Sequence, residues 1–165
     1  RDREFPGKNF YRNVGSTKRY GIELSSQFLF SSGKLNLSYT NSKNLFKDFN
    51  LNGNDLKDLS LPGIPDQILD IELIFDLSKG QSLSISNRLI GELYADNLNE
   101  TKTSSYNLLN LTYSKQIFKN SQVYLGVNNL LDVNYYDNIR INAFGKRYFE
   151  PAPKRNFHFG INFSF

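Results

Sequence analysis

Aromatic and basic residues are concentrated between Tyr135 and Arg155, near the end of this 165-residue chain. The aromatics are Tyr135, Tyr136, Phe144, Tyr148 and Phe149, and the bases are Arg140, Lys146, Arg147, Lys154 and Arg155. Aromatic rings offer flat apolar surface, and a guanidinium offers a planar fork of donors to oxyanions. This combination suits a bulky anionic ligand, and the predicted contacts are Arg140, Asn142, Phe144, Arg147 and Tyr148. The alternative is that these aromatics lie in a strand and anchor it at a membrane interface.

The sequence contains few residues that could form a catalytic site or a metal site. His158 is the one histidine and cysteine is absent, so a histidine–thiolate metal or haem site has no second ligand. Residues 48–54 begin like a calcium loop, with Gly53 at the sixth position, but Leu59 occupies the twelfth, where a bidentate carboxylate is required. A flexible loop is therefore the favoured interpretation of residues 48–54.

The net charge of +4 is scattered along the sequence, which gives no case for a nucleic-acid partner. We therefore predict no catalysis, no bound metal and no bound cofactor.

The last nine residues alternate apolar with small or polar side chains. Successive side chains of a β-strand point to opposite faces. One face therefore carries Phe157, Phe159, Ile161, Phe163 and Phe165, and the other carries His158, Gly160, Asn162 and Ser164. A strand with one apolar face and one polar face, ending on an aromatic, suits the last strand of a transmembrane β-barrel.

The same alternation recurs upstream and predicts about seven antiparallel strands. Predicted connections alternate in length: short turns lie at residues 31–34, 78–81 and 119–120, and long polar segments lie at residues 41–66, 96–103 and 132–155. Outer-membrane barrels have short periplasmic turns and long extracellular loops. The fold class is therefore predicted to be all-β, a transmembrane antiparallel β-barrel, with the segment 132–155 at the cell exterior.

A soluble β-barrel carrier would also show alternating strands. The polar face of the predicted strands is dominated by Ser, Asn, Thr, Gln and Gly, which suits a water-filled lumen better than the charged surface of a soluble sheet. A transmembrane helix is excluded, because no run of about 18 apolar residues occurs. The mean hydropathy of −0.49 does not exclude a membrane, since only every second residue of such a strand faces lipid.

Strand register predicts one ion pair in the lumen. Aligning the apolar faces across the turn at residues 78–81 requires an odd number of loop residues. This places Arg88 opposite Glu72 or, one pair further along, opposite Asp70. Either pair would be exposed to water and worth about 0–1 kcal/mol.

Four stretches resemble the TonB-dependent outer-membrane receptors of Gram-negative bacteria. They are residues 11–15 (YRNVG) with 20–24 (YGIEL), 61–65 (LPGIP), 127–132 (VNNLLD) with Tyr135 and Tyr136, and 148–156 (YFEPAPKRN). Leu131 stands where the family usually has Phe, and Lys154 stands where many members have Gly. Each motif is weak alone, but their order and spacing cover most of the chain.

The resemblance implies a barrel of about twenty-two strands around an N-terminal plug domain, energised by an inner-membrane complex through a TonB box. Residues 1–165 are then expected to be the C-terminal portion of the β-barrel domain, with the plug and the TonB box outside this chain. Expected partners are outer-membrane lipid, the TonB complex through that N-terminal region, and the barrel-assembly machinery. The last of these would read a C-terminal signal formed by Phe157, Phe163 and Phe165.

By this resemblance the expected function is outer-membrane active transport of a ferric siderophore or related iron complex. The iron chelate is cargo, so no resident cofactor is expected. The alternative is a passive porin or a structural outer-membrane barrel, which would share every strand argument. A plug and a TonB box in the full gene would distinguish the two.

Overall fold

The computed structural model describes residues 15–51 and 53–164. Residues 11–14 of the first family motif, Asn52 of the calcium-like segment and Phe165 of the predicted C-terminal signal lie outside this range. The strands in the described residues are β1 (Gly15–Phe30), β2 (Gly33–Leu51), β3 (Asn54–Asp55), β4 (Gln67–Leu77), β5 (Gln81–Ile90), β6 (Leu93–Tyr94), β7 (Lys102–Thr103), β8 (Tyr106–Phe118), β9 (Ser121–Asn128), β10 (Tyr136–Ile139), β11 (Phe149–Pro151) and β12 (Asn156–Phe163). A 3₁₀ helix covers Phe144–Lys146.

Seven long strands form one antiparallel sheet in the order β1-β2-β4-β5-β8-β9-β12, which is also their order in the sequence. Short turns join β1 to β2, β4 to β5 and β8 to β9. The other three connections are long, and we call their described residues 53–66, 91–105 and 129–155 the first, second and third loops. The predicted strand number and the alternation of short and long connections are confirmed. Within the described residues, β1 and β12 are the two edges of the sheet.

The sheet exposes its apolar face. Leu24, Leu125 and Phe159 are 58%, 58% and 72% exposed, and they belong to three different strands. The buried apolar residues among those described are Phe46, Leu56, Leu61, Ala95 and Tyr148. A soluble sandwich would bury the apolar faces of its strands, whereas a barrel wall turns them toward lipid. No helix in the described residues is long and apolar enough to cross a membrane.

The first long connection begins later than the sequence predicts. Residues 41–51 were expected to be loop, but β2 continues through them and pairs with β1 as far as Gly15↔Phe49. A bulge shifts the register between Ser16 and Thr17, so that Phe46 and Asp48 face neighbouring residues of β1 and Lys47 is the extra residue. The bulge interrupts the alternation by which a strand is recognised. This segment of β2 is strand and not the flexible loop expected there.

The second and third long connections contain strands of their own. The second loop carries the ladder β6–β7, and the third carries the hairpin β10–β11. Part of the segment 132–155 is therefore strand, as one interpretation of the sequence expected: Tyr136 pairs with Pro151, and Ile139 pairs with Phe149. These short ladders give the loops a fixed shape at the end of the sheet opposite the short turns.

Candidate functional site

The third loop presents its candidate ligand contacts at the tip of the β10–β11 hairpin. Residues 140–148 connect the two strands and include the 3₁₀ helix Phe144–Lys146. The Arg140 N–H donates to the Tyr148 carbonyl at 2.8 Å, which closes the base of the tip. Gly145, with φ 69°, makes the reversal inside the helix. All five predicted contacts therefore lie on one short segment, but their side chains have different surroundings.

Arg140 is engaged by a carboxylate of its own hairpin. Its guanidinium forms an ion pair with Glu150, and the Asn138 side-chain amide donates to the same carboxylate at 2.8 Å. Hydrogen bonds from Asn138 and Arg140 lower the pKa of Glu150 below its ordinary value. The pair is exposed to solvent, and Arg140 therefore meets an external anion only in competition with Glu150.

Asn142 and Tyr148 are also engaged within the protein. The Asn142 Oδ1 accepts a hydrogen bond from the Asn97 N–H of the second loop at 2.9 Å. Tyr148 is only 9% exposed, and its ring makes an edge contact with Phe149 at 6.0 Å between centroids. Both side chains help to hold the tip in place, and Tyr148, being buried, presents little surface to a ligand, whereas Asn142 stays exposed.

Phe144 and Arg147 are two further predicted contacts, and both are exposed at the tip of the hairpin. Phe144 is 99% exposed, and Arg147 is exposed three residues later. In the part of the chain that the structure describes, no carboxylate lies within 4.0 Å of the Arg147 guanidinium. An exposed ring and an exposed guanidinium on the same short segment offer apolar contact and paired N–H donors to a flat anionic molecule.

The polar face of the sheet contains the predicted lumen residues. Arg88 stands directly opposite Asp70 in the β4–β5 ladder, and their Nε and Oδ1 atoms are 3.5 Å apart. Of the two partners that the alternation left open, the structure therefore brings Asp70 to Arg88. Both side chains are about half exposed, so the pair contributes about 0–1 kcal/mol.

Glu72 belongs to a different set of contacts. The Asn36 amide donates to its Oε2 at 2.8 Å, and the Ser84 hydroxyl lies 3.5 Å from its Oε1. The Gln27 amide in turn donates to the Asn36 Oδ1 at 2.7 Å. Hydrogen bonds thus run across β1, β2, β4 and β5 on one face. Of these residues Gln27, Asn36 and Glu72 line an open groove of about 660 Å³, which is also lined by Asp70, Arg88 and Asn110.

The C-terminal strand places its phenylalanines on the apolar face. Phe157 and Phe163 are 73% and 63% exposed. His158 lies on the polar face opposite Gly126, and its buried Nδ1 has no hydrogen-bond partner among the described atoms. Within residues 15–51 and 53–164, no three His, Asp or Glu side chains are grouped as a metal site. The assembly role of these phenylalanines stays a prediction.

The sequence analysis did not predict that the three loops contact one another. Asn99 in the second loop forms reciprocal hydrogen bonds with the backbone of Ser60 in the first. The buried Asp96 accepts the Glu100 and Thr101 N–H groups at 3.0 and 2.9 Å. The clustering of Asp and Asn at residues 96–99 is a turn signal, but it does not reveal which other loop these side chains contact.

Several solved structures share this sheet. The siderophore receptor PiuA from Acinetobacter baumannii matches with a TM-score of 0.77 and 20% identity, over 92% of this chain and 22% of that chain. The ferric-catecholate import receptor Fiu from E. coli matches with a TM-score of 0.75 and 19% identity, over 96% and 22%. The copper transporter OprC matches with a TM-score of 0.68 and 21% identity, over 90% and 24%.

These identities show a common fold, and the chain spans less than a quarter of each of these proteins. The family assignment rests on the sequence and is independent of the structural superpositions. The profile of the family described as TonB dependent receptor-like, beta-barrel, matches residues 2–130, which is more than half of the chain. The chain belongs to this family of TonB-dependent receptor β-barrels.

Proposed function

We propose that this chain is the C-terminal portion of the barrel of an outer-membrane receptor from a Gram-negative bacterium. The receptor takes up a ferric siderophore or a related iron complex by active transport energised through TonB. The observation that carries this proposal is the fit of the sheet, over 92% of the chain, to a siderophore receptor. The chain covers only 22% of that receptor, and we assign the plug domain and the TonB box to the remaining length.

The two faces of the sheet support a role in the barrel wall. The apolar face, which includes Leu125 and Phe159, suits contact with outer-membrane lipid. The polar face, with its hydrogen-bonded Gln27, Asn36 and Glu72, suits a hydrated lumen. Transport through such a lumen needs no covalent chemistry, so the protein acts as a receptor and not as an enzyme. Proposed partners are the TonB complex and, through β12, the barrel-assembly machinery.

Within this function we assign ligand contact to Phe144 and Arg147. Both are exposed at the tip of the third loop, where a ring and a guanidinium can meet a chelate that carries negative charge. Arg140, Asn142 and Tyr148 support the tip through their contacts with Glu150, Asn97 and Phe149. This assignment narrows the five contacts predicted from the sequence to two.

Uptake by whole cells tests the proposal. Cells expressing the full-length receptor are offered a ferric catecholate and a ferric hydroxamate labelled with radioactive iron, and separately Cu²⁺. We expect accumulation of one ferric chelate that requires both the receptor and TonB. Accumulation that persists without TonB would identify a passive porin, and TonB-dependent accumulation of copper alone would move the cargo to a different class.

Two variants and one control test the ligand contacts. Phe144→Ala and Arg147→Ala should each weaken binding of the transported chelate to intact cells by about tenfold, because each removes a direct contact. Lys119→Ala, in the short turn at the opposite end of the sheet, should leave binding unchanged. Receptor abundance is measured in every strain. Unaltered affinity in both loop variants would assign the tip to structure alone.

A further inference from the structure

We propose that the first, second and third loops form one cooperative body that opens and closes as a unit, joined by the side chains of Asn99 and Asn142. The proposal goes beyond transport and does not depend on which ligand is carried. It rests on hydrogen bonds between segments distant in sequence, on close packing between the loops, and on the backbone conformation of the two asparagines.

Asn99 joins the second loop to the first. Its Oδ1 accepts the Ser60 N–H at 2.7 Å, and its Nδ2 donates to the Ser60 carbonyl at 2.9 Å. One amide side chain thus satisfies both backbone groups of a residue 39 positions earlier, as a neighbouring strand would. The Gly63 N–H adds a backbone bond to the Tyr94 carbonyl at 2.8 Å.

Asn142 joins the third loop to the second. Its Oδ1 accepts the Asn97 N–H at 2.9 Å, and its backbone N–H donates to the Ala95 carbonyl at 3.0 Å. Ala95 is fully buried between these contacts. The second loop is therefore held from both sides, by the first loop through Asn99 and by the third loop through Asn142.

The second loop is stiff enough to connect its neighbours. Asp96 is buried, with 7% of the residue exposed, and its carboxylate accepts the Glu100 and Thr101 N–H groups. The Ala95 N–H donates to the Thr101 carbonyl at 2.8 Å. A short loop whose backbone groups are satisfied internally cannot deform at one junction without disturbing the other.

The first and third loops also approach each other directly. A Cβ atom placed on Gly63 would lie 2.7 Å from the Ile141 Cδ1, so the Ile141 side chain packs directly against the Gly63 backbone. Ile141 immediately precedes Asn142. The third loop thus contacts both of its neighbours within two consecutive residues.

Both joining residues adopt left-handed backbone conformations, with φ 57° at Asn99 and 55° at Asn142. Asn tolerates this region better than most residues, and Gly occupies it at little cost. An Asn→Gly substitution therefore removes the side-chain hydrogen bonds between the loops without adding backbone strain. Most other substitutions would combine both effects.

Amide hydrogen exchange of the full-length receptor in detergent micelles tests the proposal. Asn99→Gly removes the side-chain hydrogen bonds between the first and second loops and leaves the Gly63–Tyr94 backbone bond, and a cooperative body requires exchange to rise in residues 53–66, 91–105 and 136–151 together. We expect an increase of about tenfold, since each lost hydrogen bond is worth roughly one order of magnitude in local stability. Asn142→Gly should produce the same pattern from the other junction.

Rescue and control variants separate cooperative opening from local loosening. Asn142→Asp keeps the acceptor for the Asn97 N–H and should restore protection in all three loops. Gln116→Ala removes hydrogen bonds confined to the short turn at the opposite end of the sheet, those to the Phe118 and Lys119 carbonyls, and should leave exchange in all three loops unchanged. The proposal is overturned if Asn99→Gly leaves the third loop unchanged and Asn142→Gly leaves the first unchanged. Heat modifiability confirms that each variant retains its barrel.

Discussion

Leu125 in the sheet and Leu56 in the first loop illustrate how differently the two regions of the molecule treat apolar side chains. Leu125 is 58% exposed on the face assigned to lipid, whereas Leu56 is fully enclosed by protein. Leu56 forms a small core with Phe46 and Leu61. The sheet therefore resembles a wall between lipid and water, while the loops are organised around a buried cluster as a soluble domain is.

Exposure alone does not distinguish these regions. Leu98 in the second loop is 41% exposed, not far from the value for Leu125, yet we place Leu98 in water and Leu125 in lipid. An apolar side chain in water is mildly unfavourable, but in lipid it is required. The surroundings of a side chain, and not its accessible area, decide what a substitution does.

The largest expected effect is on the loop core. Leu56→Ala should destabilise the first loop by about 2–5 kcal/mol, because a fully buried leucine leaves a cavity that its neighbours fill only in part. Amide exchange at Asp58 and Leu59, whose N–H groups donate to the Phe46 and Leu56 carbonyls, measures the loss. The exposed Leu131→Ala should change little. An equal loss of protection in the central strands would show that the loops and the sheet unfold as one cooperative unit. The two regions would then not be independent.

Introducing a charge tests whether Leu125 and Leu98 lie in different surroundings. Leu125→Arg should cost about 2–4 kcal/mol in the membrane-embedded barrel, since it places a cation near the middle of the apolar face. Leu98→Arg puts the same charge on the second loop and should be nearly neutral. Unfolding by denaturant in lipid vesicles measures both. Equal effects of the two substitutions would place Leu125 outside the hydrocarbon.

The wall could be predicted from the sequence because one apolar face and one polar face impose a strict two-residue period on each strand. That period identifies strands such as β4 and β12 without any knowledge of their neighbours. The extension of β2 could not be found in this way, because the bulge at Lys47 and the covering of Phe46 by the first loop interrupt the alternation. The family resemblance added the order of the strands in a larger barrel.

The sequence predicted which segment holds the candidate site, but not how the side chains in it are arranged. Aromatic and basic residue types pointed to the tip of the third loop, but no local pattern shows that Asn142 is bonded to a residue 45 positions earlier. The same limit applies to Arg140, whose partner Glu150 lies across the hairpin. The partner of Arg88, Glu72 or Asp70, could be decided only from the register of the β4–β5 pairing.

A smaller effect is expected where the wall packs against itself. A Cβ atom on Gly160 would lie 2.2 Å from the Tyr124 Oη, and the two residues face each other across β9 and β12. Gly160→Ala should destabilise the barrel by about 1–3 kcal/mol through overpacking. The temperature at which the folded receptor converts to its slow-migrating form on a gel reports the change. Tyr124→Ala in the same chain should recover part of the loss; no recovery would locate the strain in the backbone.

The smallest expected effect is a dependence of the third loop on pH that the wall does not share. The pKa of Glu150 is lowered from its ordinary value of 4.5 by the hydrogen bonds of Asn138 and Arg140. Its ionised form is therefore favoured by folding of the hairpin, and the stabilisation is fully present above the ordinary pKa and is lost as the pH falls through the lower, folded value. We expect amide protection of residues 136–151, corrected for intrinsic rates, to decrease in this acidic range while protection of β9 stays constant. Glu150→Gln should lower protection of the hairpin at neutral pH and abolish the acidic transition. A transition that survives this substitution would have to arise from a different carboxylate, and one that appears equally in β9 would show that the wall and the loops respond to acid together.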